Sequence, residues 1–316
     1  MFKMASLPSL CATLALLGAA PAQSSDSCDG FALSSETLYG GPHCLAERPK
    51  RVVVLDPSFS LGIGMDVGLP IVGAPMTRMG DADLAARAAQ AGVENLGFVT
   101  EPSLERLVAL QPDAIVGFTG NVGLAESFYP LFAQIAPTLL ETKADWRSYY
   151  HQLAQISGQE DDVATRLAEL DQRITEIRAK IPADFRLSVL RITSWDMQSF
   201  AGGPDAYAPF ALLHDLGIIR SDYEESGSPA EVLRPDWEDL AKLDGDTLFY
   251  IVGGTNDSDV DGRHEEVLDH PLWKLMPAVQ AGRVFRVDHG TWMEFNGLAS
   301  AHKVLNDVEA YVLGNN

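Results

Sequence analysis

Cations are scarce in this chain. Against 44 Asp and Glu stand 23 Lys and Arg, a formal net charge of -21 over 316 residues, so the surface repels phosphate backbones and anionic lipid and excludes nucleic acid as a partner. Missing too are low-complexity segments and any apolar span of about 20 residues that could cross a bilayer. With 46% hydrophobic and 21% charged residues, the composition is that of a folded globular protein. Enzyme signatures are absent as well. There is no Gly-x-Ser-x-Gly elbow and no Walker loop, and "GIGMDVG", around Gly62, Gly64 and Gly68, lacks the spacing of a dinucleotide loop. The seven histidines (His43, His151, His214, His264, His270, His289, His302) contain no zinc-protease helix, because Leu stands at position 268 after His264 and Glu265. A histidine metal site would therefore need residues from distant segments to converge.

Cysteine is equally sparse, with Cys11, Cys28 and Cys44. Cys11 falls in "MFKMASLPSLCATLALLGAAPAQSS", where Lys3 precedes an apolar run from Leu7 to Ala20 and Ala20-Pro21-Ala22 suits cleavage before Gln23. Residues 1–22 thus read as a cleavable signal peptide. Cys11 lies inside the apolar run and does not end a lipobox, which argues against a lipid anchor. Cys28 and Cys44 remain, an even pair suited to an oxidising compartment, and a disulfide pinning the N-terminal segment explains them better than a thiol catalyst.

What is present is length and alternation. The chain is long for one compact domain and comfortable for two lobes. "RVVVLDPSFSLGIGMDVGLPIVGAP" predicts a buried strand from Arg51 to Leu55, a helix around Ser60 to Val67 and a strand from Ile71 to Gly73. "SLERLVALQPDAIVGF" adds a helix and a third strand ending near Phe118, and such alternation implies a parallel sheet covered on both faces. Val163, Leu167, Leu170, Ile174, Ile177 and Ile181 then recur at helical spacing between Asp161-Asp162 and Pro182, which predicts one sustained connecting helix. Alternation restarts with strand "LSVLRIT", a loop through Trp195, helix "YAPFALLHDLGI", strand "TLFYIV" and a closing helix from Gly297 to Leu313. The expected fold is α/β, two lobes with central, mostly parallel sheets joined by a single long helix: residues 23–158, a linking helix at 159–182, and residues 183–316. Two lobes make a cleft, and ligands bind in clefts.

One unit is written twice. Glu105, Leu107, Leu110 and Asp113 in "SLERLVALQPDAIV" keep the spacing of Glu238, Leu240, Leu243 and Asp246 in "DWEDLAKLDGDTLFYI". Either glutamate alone could simply offset a helix dipole; heading the same unit in both lobes, the pair suggests symmetric docking. Arg191, inside apolar "SVLRIT", must be partly buried. Either an internal carboxylate satisfies its guanidinium or it awaits an anionic ligand in the cleft. Arg78, in "PMTRMGD", has the same two explanations. His289 sits in a loop after a strand, near Trp292 and Phe295, and the aromatics Trp195, Phe200, Tyr207, Trp292 and Phe295 could wall a large, partly apolar ligand.

Taken together, the leader, two lobes, one linking helix and paired "E-x-L-x-x-L-x-x-D" units resemble the periplasmic substrate-binding proteins of iron-siderophore, haem and cobalamin ABC importers. "EPSLERLVALQPDAIV", "SVLRITSWDMQSFAG", "LHDLGIIR", "HPLWKLMPAVQAGRVFRVD" and "TWMEFNGLASAHKVLNDVEAYV" are most similar to the ferric-siderophore branch. The resemblance implies a helical-backbone binding protein that is no enzyme, carries no cofactor and binds no metal directly. It also implies a periplasmic monomer that captures a ferric siderophore and delivers it to a permease dimer, with small hinge motion. By motif, Glu105 and Glu238 would dock on the two permease subunits and Arg191 would face the ligand. Arg78, Asn121, Trp195 and Tyr207, with His289 and Trp292, complete the expected ligand-facing set. The stretch "GFVTEP" carries Val99 where hydroxamate binders place an arginine, a departure from simple hydroxamate specificity. Haem, through His289 or Tyr207, and cobalamin are alternatives within the resemblance, and an exported α/β enzyme is the alternative outside it.

Overall fold

The computed structural model describes residues 28, 30–33, 37–118, 124–142, 145–228 and 231–314, with side chains at all of these but 124, 125 and 255. The leader and Asn121 lie outside the described residues. Near the start, β1 (Phe31–Leu33) and β2 (His43–Leu45) form an antiparallel ribbon. It is closed by a Cys28–Cys44 disulfide with Cα atoms 5.7 Å apart.

The first sheet comprises β3 (Val52–Val54), β4 (Ile71–Ala74), β5 (Glu94–Asn95), β8 (Ala114–Phe118) and β9 (Thr138–Glu141), in the order β5-β4-β3-β8-β9. Every pairing is parallel. Val52, Val53 and Val54 have no exposed surface, as expected of a strand covered on both faces. A two-stranded ribbon of β6 (Gly97–Phe98) and β7 (Glu101–Pro102) stands beside this sheet and holds Val99 at its turn. The sequence reading missed β5 and the ribbon, whose two-residue strands are too short to show periodicity.

The second sheet repeats the strand order of the first. It comprises β10 (Leu187–Ile192), β11 (Met197–Phe200), β12 (Val232–Leu233), β13 (Thr247–Val252) and β14 (Val284–Asp288), ordered β12-β11-β10-β13-β14. Counted within each sheet, both run third, second, first, fourth, fifth. The difference is that β11 turns back antiparallel on β10, and β12 on β11, while β10, β13 and β14 are parallel.

The repeated unit leads into the fourth strand of each sheet, and its physics is shared. Leu107 and Leu240 are fully buried. Asp113 accepts hydrogen bonds from the backbone N–H of Lys50 and Arg51, each 2.8 Å, at the start of β3. Asp246 accepts one from Arg186 N–H at 2.9 Å at the start of β10. The local conformations differ: the first copy is a helix, Leu104–Ala109, capped by Ser103, whereas the second is only a 3-10 turn, Asp239–Lys242. Asp236, accepting from the N–H groups of Glu238 and Asp239, stands where the second copy begins.

Between the sheets runs the helix Glu160–Arg178. Val163, Leu167, Leu170, Ile174 and Ile177 form its buried stripe, and Glu160, Asp161 and Asp162 occupy its first turn. It packs against the helices Trp146–Ser157 and Leu298–Tyr311, where Arg173 bonds Asn306 at 2.6 Å and Glu309 at 2.5 Å. One hydrophobic core continues through both lobes, joining Val52 and Val54 to Leu187, Val189, Phe249 and Val304. Two smaller clusters cover the outer sheet faces. "GIGMDVG" is buried helix, Phe59–Asp66, continuing into the Gly68 turn; Gly62 is required there because a Cβ would collide with Asn296 of the other lobe.

Candidate ligand-binding site

In a parallel sheet the carboxyl ends of the strands are where ligands gather, and here those ends face each other across the lobes. Phe59, just past β3, meets Phe118 at the end of β8 with ring centroids 5.2 Å apart. It also meets Tyr207 and Phe295 of the second lobe at 6.3 and 5.9 Å. The backbone of the Gly80 loop, past β4, meets Glu294, past β14.

The second-lobe wall is charged. Leu187, Val189 and Arg191 share one face of β10; the first two enter the core, and Arg191, near the strand's end, is only half-buried. Gln198 stands opposite it in register and accepts a 3.4 Å hydrogen bond from Arg191 Nη1. Among the described residues Arg191 Nε is buried with no hydrogen-bond partner. Burial holds this guanidinium below its usual pKa, opposed by Asp196, Glu294 and Tyr207. Its neighbour Asp196 is already engaged by Arg234 at 2.9 Å and by Thr193 at 2.6 Å. A buried, under-bonded guanidinium is costly unless something completes its coordination.

His289 opens the short helix His289–Met293, whose N-cap Asp288 accepts from Thr291 N–H. Its Nδ1 is buried with no hydrogen-bond partner among the described residues, 3.9 Å from Glu294 Oε1. Burial, reinforced by Arg191, lowers its pKa to about 4, so the imidazole is neutral at ordinary pH. Glu294 is pushed up by burial and restrained by its bonds to the N–H groups of Asp81 and Gly80. Tyr207 Oη accepts from Phe295 N–H at 3.0 Å, and burial raises its pKa.

The first-lobe wall is mostly aromatic. Phe118, half-buried, lines it, with Phe59 buried behind and Tyr149 backing both, the Tyr149 hydroxyl 2.7 Å from Ser60 Oγ. Ser60 in turn bonds Asp56, whose carboxyl is raised by burial. Arg78 is exposed, in the left-handed region at φ 65°, with its guanidinium 5.6 Å over the Phe98 ring.

Several expected residues stand elsewhere. Trp292 is not a cleft residue: it has no exposed surface, donates its indole N–H to Asp307 at 2.8 Å and packs its ring against Phe249 and Phe210. Phe200 likewise lies in β11, stacked on Phe210. Trp195 is 58% exposed beneath Arg234. The structure therefore groups Arg191, His289 and Tyr207, sets Trp195 and Arg78 at more exposed positions, and removes Trp292. Glu294, Phe59, Gln198 and Arg234 escaped the sequence reading. Only Phe59, in "DPSFS" right after a buried strand, carried a local signal. Glu105 and Glu238 are both exposed. Among the described residues no three His, Cys, Asp or Glu side chains gather as a metal site, and no helix is long and apolar enough to cross a membrane.

Comparison with known proteins places this geometry. The chain is 25% identical over 317 aligned positions, 95% of each chain, to "Probable siderophore-binding lipoprotein YfiY" of Bacillus subtilis. It is 29% identical to the achromobactin-binding periplasmic protein of Dickeya dadantii, over 70% of this chain and 73% of that one. Among solved structures, Staphylococcus aureus SirA complexed with staphyloferrin B shares the fold with a TM-score of 0.75 at 21% identity, covering 89% of this chain and 99% of SirA. The family described as periplasmic binding protein matches residues 63–290, and the chain with its two like sheets about one cleft belongs to that family.

Proposed function

We propose that this protein is an exported solute-binding protein that captures a ferric siderophore in the interlobe cleft and hands it to the permease of an ABC importer. The observation that carries the reading is Arg191. A guanidinium held at the mouth of the core with one long hydrogen bond and an unpartnered Nε is poised for an anionic oxygen, which the carboxylate, catecholate or hydroxamate groups of an iron chelate supply. The names of the relatives point to the same cargo, since YfiY bears the name "Probable siderophore-binding lipoprotein" and the Dickeya protein that of an achromobactin-binding periplasmic protein. Phe118 and Tyr207, both half-buried and backed by Phe59, offer the apolar wall that a large chelate needs. Iron is cargo here, carried inside its chelate and not ligated by the protein.

The work asked of the chain is binding, orientation and release. His289, neutral at ordinary pH, presents an imidazole without adding charge to the site. Delivery rests on Glu105 and Glu238, exposed at matching points of two like lobes, which suit salt bridges to arginines of two permease subunits. Such pairs set orientation and encounter rate more than affinity. Residues 1–22 serve as the signal peptide in this reading, the exported protein is a monomer, and its compartment is the periplasm.

Tyr207 is a poor haem ligand, because its oxygen is engaged by Phe295 N–H and burial disfavours the phenolate. The test is equilibrium dialysis of the exported chain against radioiron-loaded Fe(III)-citrate, a ferric tris-catecholate and a ferric tris-hydroxamate, with haem and cobalamin alongside. Saturable retention of one ferric chelate, recovered chemically unchanged, supports the reading; retention of haem or cobalamin alone, or turnover of the chelate, contradicts it.

A further inference from the structure

Past the end of β14, Glu294 of the second lobe reaches into the first. Its Oε2 accepts hydrogen bonds from the backbone N–H of Gly80 at 2.6 Å and of Asp81 at 3.0 Å, more than 200 residues earlier in the chain. A Cβ at position 80 would stand 2.6 Å from Glu294 Oε1 and 3.0 Å from His289 Nδ1, so a larger residue there would push the carboxylate aside. A second bond locks the same point. Asp81, buried and N-capping the helix Ala82–Gln90 through Leu84 N–H, accepts at its other oxygen from Asn296 Nδ2 at 2.6 Å. Gly80 ends the loop that carries Arg78, and the far side of that loop is fixed on β5 by Met76 N–H donating to Asn95 at 3.0 Å. The Glu294 carboxylate also lies within the field of Arg191.

We infer that Glu294 is a positioning residue: its carboxylate clamps the Arg78 loop of the first lobe to the Arg191 wall of the second and so sets the width of the cleft. This rests on the binding reading for its ligand readout but not for its geometry. Free backbone N–H groups at a helix start are natural acceptors' partners, and a charged acceptor makes these bonds stronger than neutral ones. The two bonds act where the lobes meet, and they add directional restraint to the packing of the shared core.

The test uses nitroxide labels at Ala109→Cys and Glu265→Cys, exposed positions in the two lobes, read by pulsed dipolar spectroscopy without ligand. Glu294→Ala and Gly80→Ala, which break the clamp from opposite sides, are expected to broaden the interlobe distance distribution alike. Glu294→Gln, which keeps the reach and an accepting carbonyl, is expected to hold the wild-type width. In dialysis against the same three ferric chelates, Glu294→Ala should bind the retained probe about tenfold more weakly and Glu294→Gln within about twofold, the scale of a lost charged hydrogen bond. Unchanged widths in both Glu294→Ala and Gly80→Ala overturn the clamp. Broadened widths with unchanged affinity overturn the positioning role. Broadened widths in a protein that retains none of the three chelates leave the clamp standing and sink the ferric-chelate reading instead.

Discussion

A single strand residue, Arg191, concentrates the chemistry of the cleft. Its neighbours on the same face of β10 are fully buried, and its guanidinium is left with one long bond. Replacing it with alanine should therefore cost ligand affinity more than fold. About tenfold to a hundredfold weaker chelate binding is expected, the scale of one or two charge-assisted bonds, with the midpoint of thermal unfolding nearly unchanged. Arg191→Lys should rescue only part of it, because an ammonium lacks the planar fork; full rescue by lysine in the dialysis assay would show that only the charge matters. His289 gives a pH prediction. Its folded pKa of about 4 lies below the ordinary 6.5, so between those values the unfolded chain binds the proton more readily and stability falls as pH drops from about 6.5 to 4. The groups facing it are Arg191, Asp288, Asp257 and, at Nδ1, Glu294. His289→Asn should flatten that part of the stability curve, by at most a few kcal/mol; a wild-type slope in the variant contradicts the buried neutral imidazole.

Among the elements, the repeated unit separates into parts that fold and parts left free. Leu107 and Leu240 are core, Asp113 and Asp246 fasten the start of the first strand of each sheet, and the two glutamates are exposed. Asp113→Ala, which frees two backbone N–H groups, should lower stability by about 1–2 kcal/mol in urea unfolding, and Asp246→Ala by less. Glu105→Ala and Glu238→Ala should stay within about 0.5 kcal/mol of wild type; a large loss from either would make that glutamate structural. The buried pair Arg220–Glu224 is another fastening. Glu224 also accepts from Val189 N–H at 3.0 Å and from Ser221 Oγ at 2.8 Å, so Glu224→Ala should cost about 3–5 kcal/mol. Much of this architecture was legible in the sequence, because long buried strands and the Val163-to-Ile177 stripe impose their period on the residues. The 3-10 turn at Asp239 was not legible, since the leucine and aspartate spacing is the same for a helix. Nor was the burial of Trp292, which depends on Phe249 and Phe210 arriving from distant segments and on Asp307 of the following helix.

For the molecule as a whole, the continuous core through both lobes and the Glu294 and Asn296 bonds tie the two lobes into one body, and a binding site between them would be largely formed before its ligand arrives. The two exposed glutamates belong to the proposed delivery step, which a transport assay separates from binding. Cells carrying the Glu105→Ala and Glu238→Ala pair should lose most uptake of the retained chelate while the purified variant binds it normally; normal uptake would refute the docking role. Legibility at this scale was uneven. Length, alternation and the connecting helix carried the two-lobe plan, but no spacing in the sequence announced that Glu294 would meet Gly80. The most direct measurement is paired equilibrium dialysis of the wild-type protein and Arg191→Ala against radioiron-loaded Fe(III)-citrate, the tris-catecholate and the tris-hydroxamate. The account predicts saturable, one-to-one retention of at least one intact chelate by the wild type, weakened at least about tenfold in the variant. Retention of none by a well-folded wild type, or equal retention by the two proteins, would contradict it.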